Sequence, residues 1–261
     1  MRIWLPVLFI IFSAFTVETP THGKNWYKDD DCYAAWLGQG GTGTELDISG
    51  SEENLTVSGT VGNFDNSAPP RFRGKARVFD SASLDMLGCV DGSATDISGA
   101  NQAISIATWV YRDSNPAGNE FFMSKYETIS DERQYALYVD DSTETAAFYL
   151  DLLGNQLTDT VTYNIVLSTS VLTVGKWFHV CGVYDDATMK IYINGILENS
   201  EAYTAGILDG SAPFTWGSRK TRTTNLLGKV KEGIIFARAL RPEEVYSIYY
   251  YGIDGNQGRH S

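Results

Sequence analysis

Histidine, cysteine and positive charge are all scarce in this 261-residue chain, and each shortage removes a class of function. Of three histidines, His22 and His260 lie near the ends, so neither a zinc cluster nor a catalytic triad has enough ligands to draw on. His179, inside a strand-like run, is expected to be structural. Against 32 Asp and Glu there are only 20 Lys and Arg, a net charge of -12, so phosphate backbones are repelled and nucleic acid is not an expected partner. Three cysteines allow one disulfide in an exported protein and leave one thiol over. No apolar run reaches the roughly 20 residues that span a bilayer. The longest, Ile3 to Phe15, follows Arg2 and reads as the core of a secretory signal, Met1 to Gly23. The mature protein is therefore expected to be secreted, with no membrane span once the signal is removed. The Gly-rich stretch Gly38 to Thr44 lacks a following Gly-Lys-Ser/Thr and opens no helix, so it is a turn and not a phosphate cradle.

What is present is sheet grammar. Short apolar runs separated by Gly, Asn, Asp, Ser and Pro place strands at Thr56 to Val61, Ala76 to Phe79, Leu84 to Val90, Ile104 to Tyr111, Glu120 to Lys125, Tyr135 to Val139, Ala146 to Leu152 and Thr162 to Ser168. Val174 to Leu197 reads as a complete hairpin, with a polar turn at Asp185 to Thr188 and a second tight turn at Asn194-Gly195. If Tyr184 pairs with Met189, then Phe178, Val180 and Tyr184 share a face with Met189, Ile191 and Ile193, while His179, Cys181, Lys190 and Tyr192 lie on the other; one face builds a core and the other meets solvent or a ligand. One helix is expected, Arg241 to Tyr249, with Pro242, Glu243 and Glu244 in its first turn. Residues 24–31 form an acidic leader, 32–252 one domain, and 253–261 a polar tail.

The hairpin resembles the W-x-H-V-A-x-V-Y-D, M-K-x-Y-V-N-G-x-L segment of laminin-G-like jelly rolls in the concanavalin A-like lectin/glucanase superfamily. Five further stretches resemble that family in order: Asp47 to Gly50, Gly74 to Asp80, Ile104 to Val110, Pro213 to Ser218, and Leu227 to Glu244. The resemblance implies an all-β fold, a two-sheet antiparallel jelly-roll sandwich. It also implies that Trp36, Trp109, Trp177 and Trp216 are core residues and that His179 fills a structural position. Cys181 stands where the family has a small residue, which leaves Cys32 and Cys89 as the expected bridge. Relatives carry acidic residues where this chain has Gly38 to Thr44 and Lys231, so the family's calcium loses ligands here. Lys231 is expected to supply the charge instead, and no cofactor is expected.

The acidic groups Asp29 to Asp31, Glu52-Glu53, Asp140-Asp141 and Asp185-Asp186 are read as solvated turns with some capacity for cations. Glu45-Leu46-Asp47-Ile48 resembles the Glu-x-Asp-x-Glu strand of laminarinase-type glucanases, but Ser49 takes the third position, and a retaining carboxylate pair is missing. The chain is accordingly expected not to be an enzyme. A polar ligand site is placed on two loops that carry Tyr111, Arg112, Lys125, Tyr126 and Arg133, with the two arginines exposed. Asn54 in Asn54-Leu55-Thr56 is the expected glycosylation site. The function implied is non-catalytic extracellular binding of a glycan or matrix glycoprotein, with assembly of a matrix or mineralised layer as the second reading and glycoside hydrolysis as the third.

Overall fold

A computed structural model describes residues 24–39, 43–61, 64–65, 68–70, 72, 74–80, 85–91, 94–127, 132–151, 163–221 and 225–255. The expected signal and residues 256–261 of the tail lie outside the described residues. In chain order the strands are β1 (Cys32–Trp36), β2 (Thr56–Ser58), β3 (Phe64–Asp65), β4 (Ala76–Phe79), β5 (Met86–Cys89), β6 (Ile104–Arg112), β7 (Glu120–Tyr126) and β8 (Arg133–Asp140). Then come β9 (Thr145–Asp151), β10 (Tyr163–Val171), β11 (Trp177–Tyr184), β12 (Thr188–Ile193), β13 (Ile196–Ala202), β14 (Phe214–Trp216), β15 (Gly228–Phe236) and the helix α1 (Pro242–Tyr251). They form two antiparallel sheets, one of eight strands in the order β13-β12-β11-β6-β15-β4-β3 with β1 on β15, the other of seven in the order β10-β9-β8-β7-β14-β5-β2. This is the jelly-roll sandwich that the sequence implies.

Alternation along each strand makes the core. Ile104, Ile106 and Val110 of β6, Val180 and Tyr184 of β11, and Met189 and Ile191 of β12 face Phe122, Leu137, Phe148 and Leu150 of the other sheet. Trp36 stacks on Phe214 at 5.0 Å and bridges the two layers. A side chain at Gly182 would meet the Phe148 ring at 2.5 Å, so glycine permits the sheets to close there. The hairpin register is the expected one, with Tyr184 opposite Met189 and Val180 opposite Ile193. Asn194 and Gly195 adopt φ of 52° and 78°, the left-handed pair that a tight hairpin turn requires.

The other face of the hairpin is not open at Cys181 and Tyr192. The helix α1 lays Val245 and Ile248 over Cys181, Val183, Tyr192, Ile234 and Phe236, a second buried layer outside the eight-stranded sheet. Pro242 in its first turn and Glu244, which accepts the Arg241 N–H at 2.8 Å, start the helix. The acidic leader packs into the same layer. Trp26 is buried and its backbone N–H donates to the Ile253 carbonyl at 2.8 Å, while Arg238 joins Asp29 at 3.0 Å and Glu244 at 2.9 Å.

The expected Cys32 to Cys89 bridge does not form. Cys32 belongs to the layer beneath α1, and Cys89 lies in the other sheet against the inter-sheet core, so the eight-stranded sheet stands between the two sulfurs. Cys181 is likewise a free thiol. Adding dithiothreitol to the purified protein is therefore expected to leave its melting temperature unchanged, and a drop of several degrees on reduction would reveal a bridge after all.

Candidate functional site

The five residues singled out from the sequence do not converge. Tyr111 and Tyr126 lie on the outer faces of different sheets, and their strand neighbours Arg112 and Lys125 point the opposite way into buried ion pairs. The Arg112 guanidinium donates to Glu120 Oε1, the Leu172 carbonyl and Asn115 Oδ1, each at 2.6 Å, with both charged side chains almost fully buried. Lys125 is fully buried and reaches Asp91 at 2.5 Å. Arg133 is buried at the start of β8, close enough to Tyr149 to act on its hydroxyl electrostatically. The arginines are thus not the exposed loop charges that the sequence suggested. Strand β6 extends through Arg112, which turns this residue inward at the end of the sandwich.

Tryptophan divides in a way the sequence did not show. Trp36 and Trp216 belong to the inter-sheet core. Trp109 and Trp177 do not; they stand on the outer face of the eight-stranded sheet, where β6 and β11 pair Trp109 with His179 and Tyr111 with Trp177. There they line a cavity of about 170 Å³ with Pro70, Asn194 and Tyr249. The tight turn delivers Asn194 and the last turns of α1 deliver Tyr249. The Trp109 ring meets Phe72 at 5.2 Å, His179 at 5.4 Å and Tyr249 at 5.4 Å, and Trp177 meets Tyr111 at 5.5 Å. Lys229 extends the row, its ammonium 4.0 Å above the Tyr111 ring.

The polar groups of this groove are only partly used within the chain. Asn194 Oδ1 accepts the backbone N–H of His179 at 2.9 Å, which leaves its amide N–H₂ for a ligand. Trp109 Nε1 and His179 Nδ1 are buried without a hydrogen-bond partner. Burial alone pulls the His179 imidazole down to about 3, so the ring is neutral at physiological pH. The arrangement offers aromatic faces, one amide donor and no net charge from the cavity wall. It can hold a flat, partly apolar, hydroxylated molecule, and it holds no nucleophile.

The seven-stranded sheet carries a second groove, of about 150 Å³. Phe121, Tyr126, Tyr138 and Tyr149 line it from β7, β8 and β9, with Ile165 on one side and Asn119 and Asp140 at its polar end. Tyr126, one of the residues read from the sequence, lies here.

The carboxylates that resemble a glucanase strand are occupied structurally. Glu45 Oε2 holds the buried Arg77 at 2.7 Å and its Oε1 accepts the N–H groups of Gly38 and Gln39. Asp47 accepts from the backbone of Ala35, Ser49 and Glu53 and so fastens the turn after β1. Calcium does not fit beside Lys231, where the resemblance implied an acidic ligand. The Lys231 ammonium fills that place, donating to the Lys75 carbonyl at 3.0 Å and the Leu37 carbonyl at 3.4 Å, so a metal ion would meet a cation and spent ligands. Among the described residues no three His, Cys, Asp or Glu side chains gather as a metal site.

Two outcomes follow from these placements. Arg112→Ala is expected to cost about 3–5 kcal/mol, because it strands the buried Glu120 charge; a loss under 1 kcal/mol in urea unfolding would contradict the burial. His179 is depressed in the folded state, so the unfolded chain takes up its proton first as pH falls below about 6.5, and stability declines until the pH nears about 3. Replacing His179 with Phe should make the urea midpoint less sensitive to pH between 6.5 and 4 than in the wild type, and equal pH slopes would speak against it.

Comparison with solved structures gives the same sandwich. The binding domain of Paraclostridial Mosquitocidal Protein 1 superposes with a TM-score of 0.66 at 15% identity over 87% of this chain, and this chain spans 55% of that one. Domain 4 of AbnA, a GH43 extracellular arabinanase from Geobacillus stearothermophilus solved with arabinotriose, gives 0.62 at 17% identity, over 84% of this chain and 98% of that one. The botulinum neurotoxin serotype D binding domain gives 0.56 at 15% identity, over 84% of this chain and 50% of that one. At such identities the likeness is one of fold. Comparison with curated proteins finds no match. Residues 90–246, more than half of the chain, match the laminin-G family described as the concanavalin A-like lectin/glucanases superfamily, and the chain belongs to that superfamily.

Proposed function

We propose that this protein is a secreted, non-catalytic binding domain that holds a glycan in the groove between Trp109, Trp177 and Tyr249. The observation that carries this reading is the placement of the half-buried Trp177 and the buried Trp109 outside the inter-sheet core, at the wall of a cavity of about 170 Å³ beside the uncommitted amide of Asn194. A sugar ring presents an apolar C–H face to an aromatic ring and hydroxyls at its edge, and such a wall with one well-placed amide meets both. The glucanase-like carboxylates are consumed by the fold, which supports binding without hydrolysis. Domain 4 of AbnA, solved with arabinotriose, and the toxin binding domains are consistent with a sandwich used for recognition. Secretion rests on the apolar segment Ile3 to Phe15, and the exposed Asn54 is then the place for an attached glycan.

The test is a glycan array probed with the wild-type chain and with Trp177→Ala, each with and without a calcium chelator. Trp177 is only partly buried, so its loss is expected to weaken the best-bound glycan about tenfold, the equivalent of 1.4 kcal/mol, with little change in melting temperature. Chelation is expected to change nothing, because Lys231 occupies the cation position. An array on which nothing binds, or on which Trp177→Ala binds as wild type, overturns the assignment of this groove. Turnover of a β-glucan that disappears in Glu45→Gln overturns the non-catalytic reading.

A further inference from the structure

We infer that the glycan is a linear oligosaccharide several units long, and that its far end lies over Tyr246 on the outward stripe of α1. The inference rests on the glycan reading of the Trp177 groove and gives that site a distal subsite. A helix packed on a sheet turns its other side to water and ordinarily carries charge there. On α1, beyond Glu243, that side carries Tyr246, Tyr249 and Tyr250 at three- and four-residue spacing, while Val245 and Ile248 face the sheet. Tyr246 is 40% exposed, and Tyr249 and Tyr250 are half-buried. The Tyr246 ring lies 5.9 Å from that of Tyr250, with 21° between their planes. On the same outer face Leu197 of β13 stands opposite Tyr192, which α1 covers, and is itself 47% exposed. A contiguous patch of open rings in place of charges marks a surface that something else covers.

The stripe is continuous with the groove. Tyr249 belongs to both: it walls the cavity with Trp109 and Trp177, and its ring lies 6.0 Å from that of Tyr246. The tight turn that brings Asn194 to the groove also touches the stripe. A side chain at Gly195 would meet the Tyr249 ring at 3.0 Å and the Tyr246 backbone at 3.1 Å, so the turn packs against both residues. A chain lying on Trp177 therefore reaches Tyr249 and the Asn194 amide next, and Tyr246 beyond them. Each tyrosine offers a ring face and a hydroxyl at its edge, which match the C–H face and the edge hydroxyls of successive sugar units. The stripe ends on the exposed pair of Arg241 and Glu243, 3.1 Å apart, so its far end is polar as well. An apolar peptide would cover that pair and the Asn194 amide with nothing to bond them. A monosaccharide held in the cavity leaves Tyr246 bare, so what the stripe adds is a preference for length.

The test is a titration of the ¹⁵N-labelled protein with arabino-, malto- and cello-oligosaccharides of one to five units, followed by amide shifts. In the series that binds, affinity is expected to rise about tenfold between one unit and three and then to level. The amides of Val245 to Ser247 should shift with three units and not with one. Tyr246→Ala should remove the rise and leave the monosaccharide bound as in wild type, whereas Tyr246→Phe, which keeps the ring, should preserve most of it. Alanine suits an exposed helical position, so the melting temperature of Tyr246→Ala should not change. Trp177→Ala should weaken every length alike. A flat length series, a Tyr246→Ala variant that keeps the wild-type rise, or one that weakens all lengths equally overturns the distal subsite and leaves the Trp177 groove standing. Binding at no length, or binding that Trp177→Ala leaves intact, overturns the glycan reading of the groove and this inference with it.

Discussion

Strand β6 has to be buried on both faces, and most of the molecule is arranged around that requirement. It lies in the middle of the eight-stranded sheet between β11 and β15, with Ile104, Ile106 and Val110 on one side and Ala107 and Trp109 on the other. The first set is covered by the opposing sheet. The second needs a third layer, and α1 together with Trp26 supplies it over about half of the strand. Where the helix ends, the covering is completed by rings: Tyr249 from the helix itself, Phe72, His179 and Trp177. An aromatic groove arises there because the helix stops short of the row of large side chains that it shelters.

The ends of the sandwich are closed by charge. Arg112 with Glu120 and Lys125 with Asp91 sit where β6 and β7 run out, while Arg77 with Glu45 and Lys231 among backbone carbonyls lie within β4 and β15. Long cationic side chains suit such positions, since their stems pack against the core and their heads satisfy carbonyls and carboxylates that loops would otherwise bury unpaired. Buried pairs of this kind add little net stability over apolar contacts but are costly to break, so they fix which loop docks at which end.

Most of the fold was legible, and the reason is local. The polar turn at Asp185 to Thr188 and the Asn194-Gly195 step pin the hairpin, and alternation then assigns Val180, Ile191 and their neighbours to the core. The groove was legible only in part. Trp109 and Trp177 sit in runs that are apolar on both faces, so no periodicity separates the tryptophan that crosses the sheets from the one that leaves the core. Tyr249 reaches the site only through the docking of α1, which no nearby residue encodes. Arg112 lies one residue beyond the strand that the apolar pattern marks and turns inward there, and Lys125, the last residue of its expected strand, also points inward, so neither is a loop charge.

Cys181 lies fully buried under α1, its thiol pushed far above the ordinary range by burial, and Cys32 shares that layer. A thiolate is the reactive form, so neither sulfur can meet an alkylating reagent while the helix is seated. The rate at which those two sulfurs acquire a label in native buffer is accordingly a clock for helix detachment, a local opening that leaves the sandwich folded. Because Tyr249 rides on the same helix, that clock also counts how often the tryptophan groove loses one of its walls.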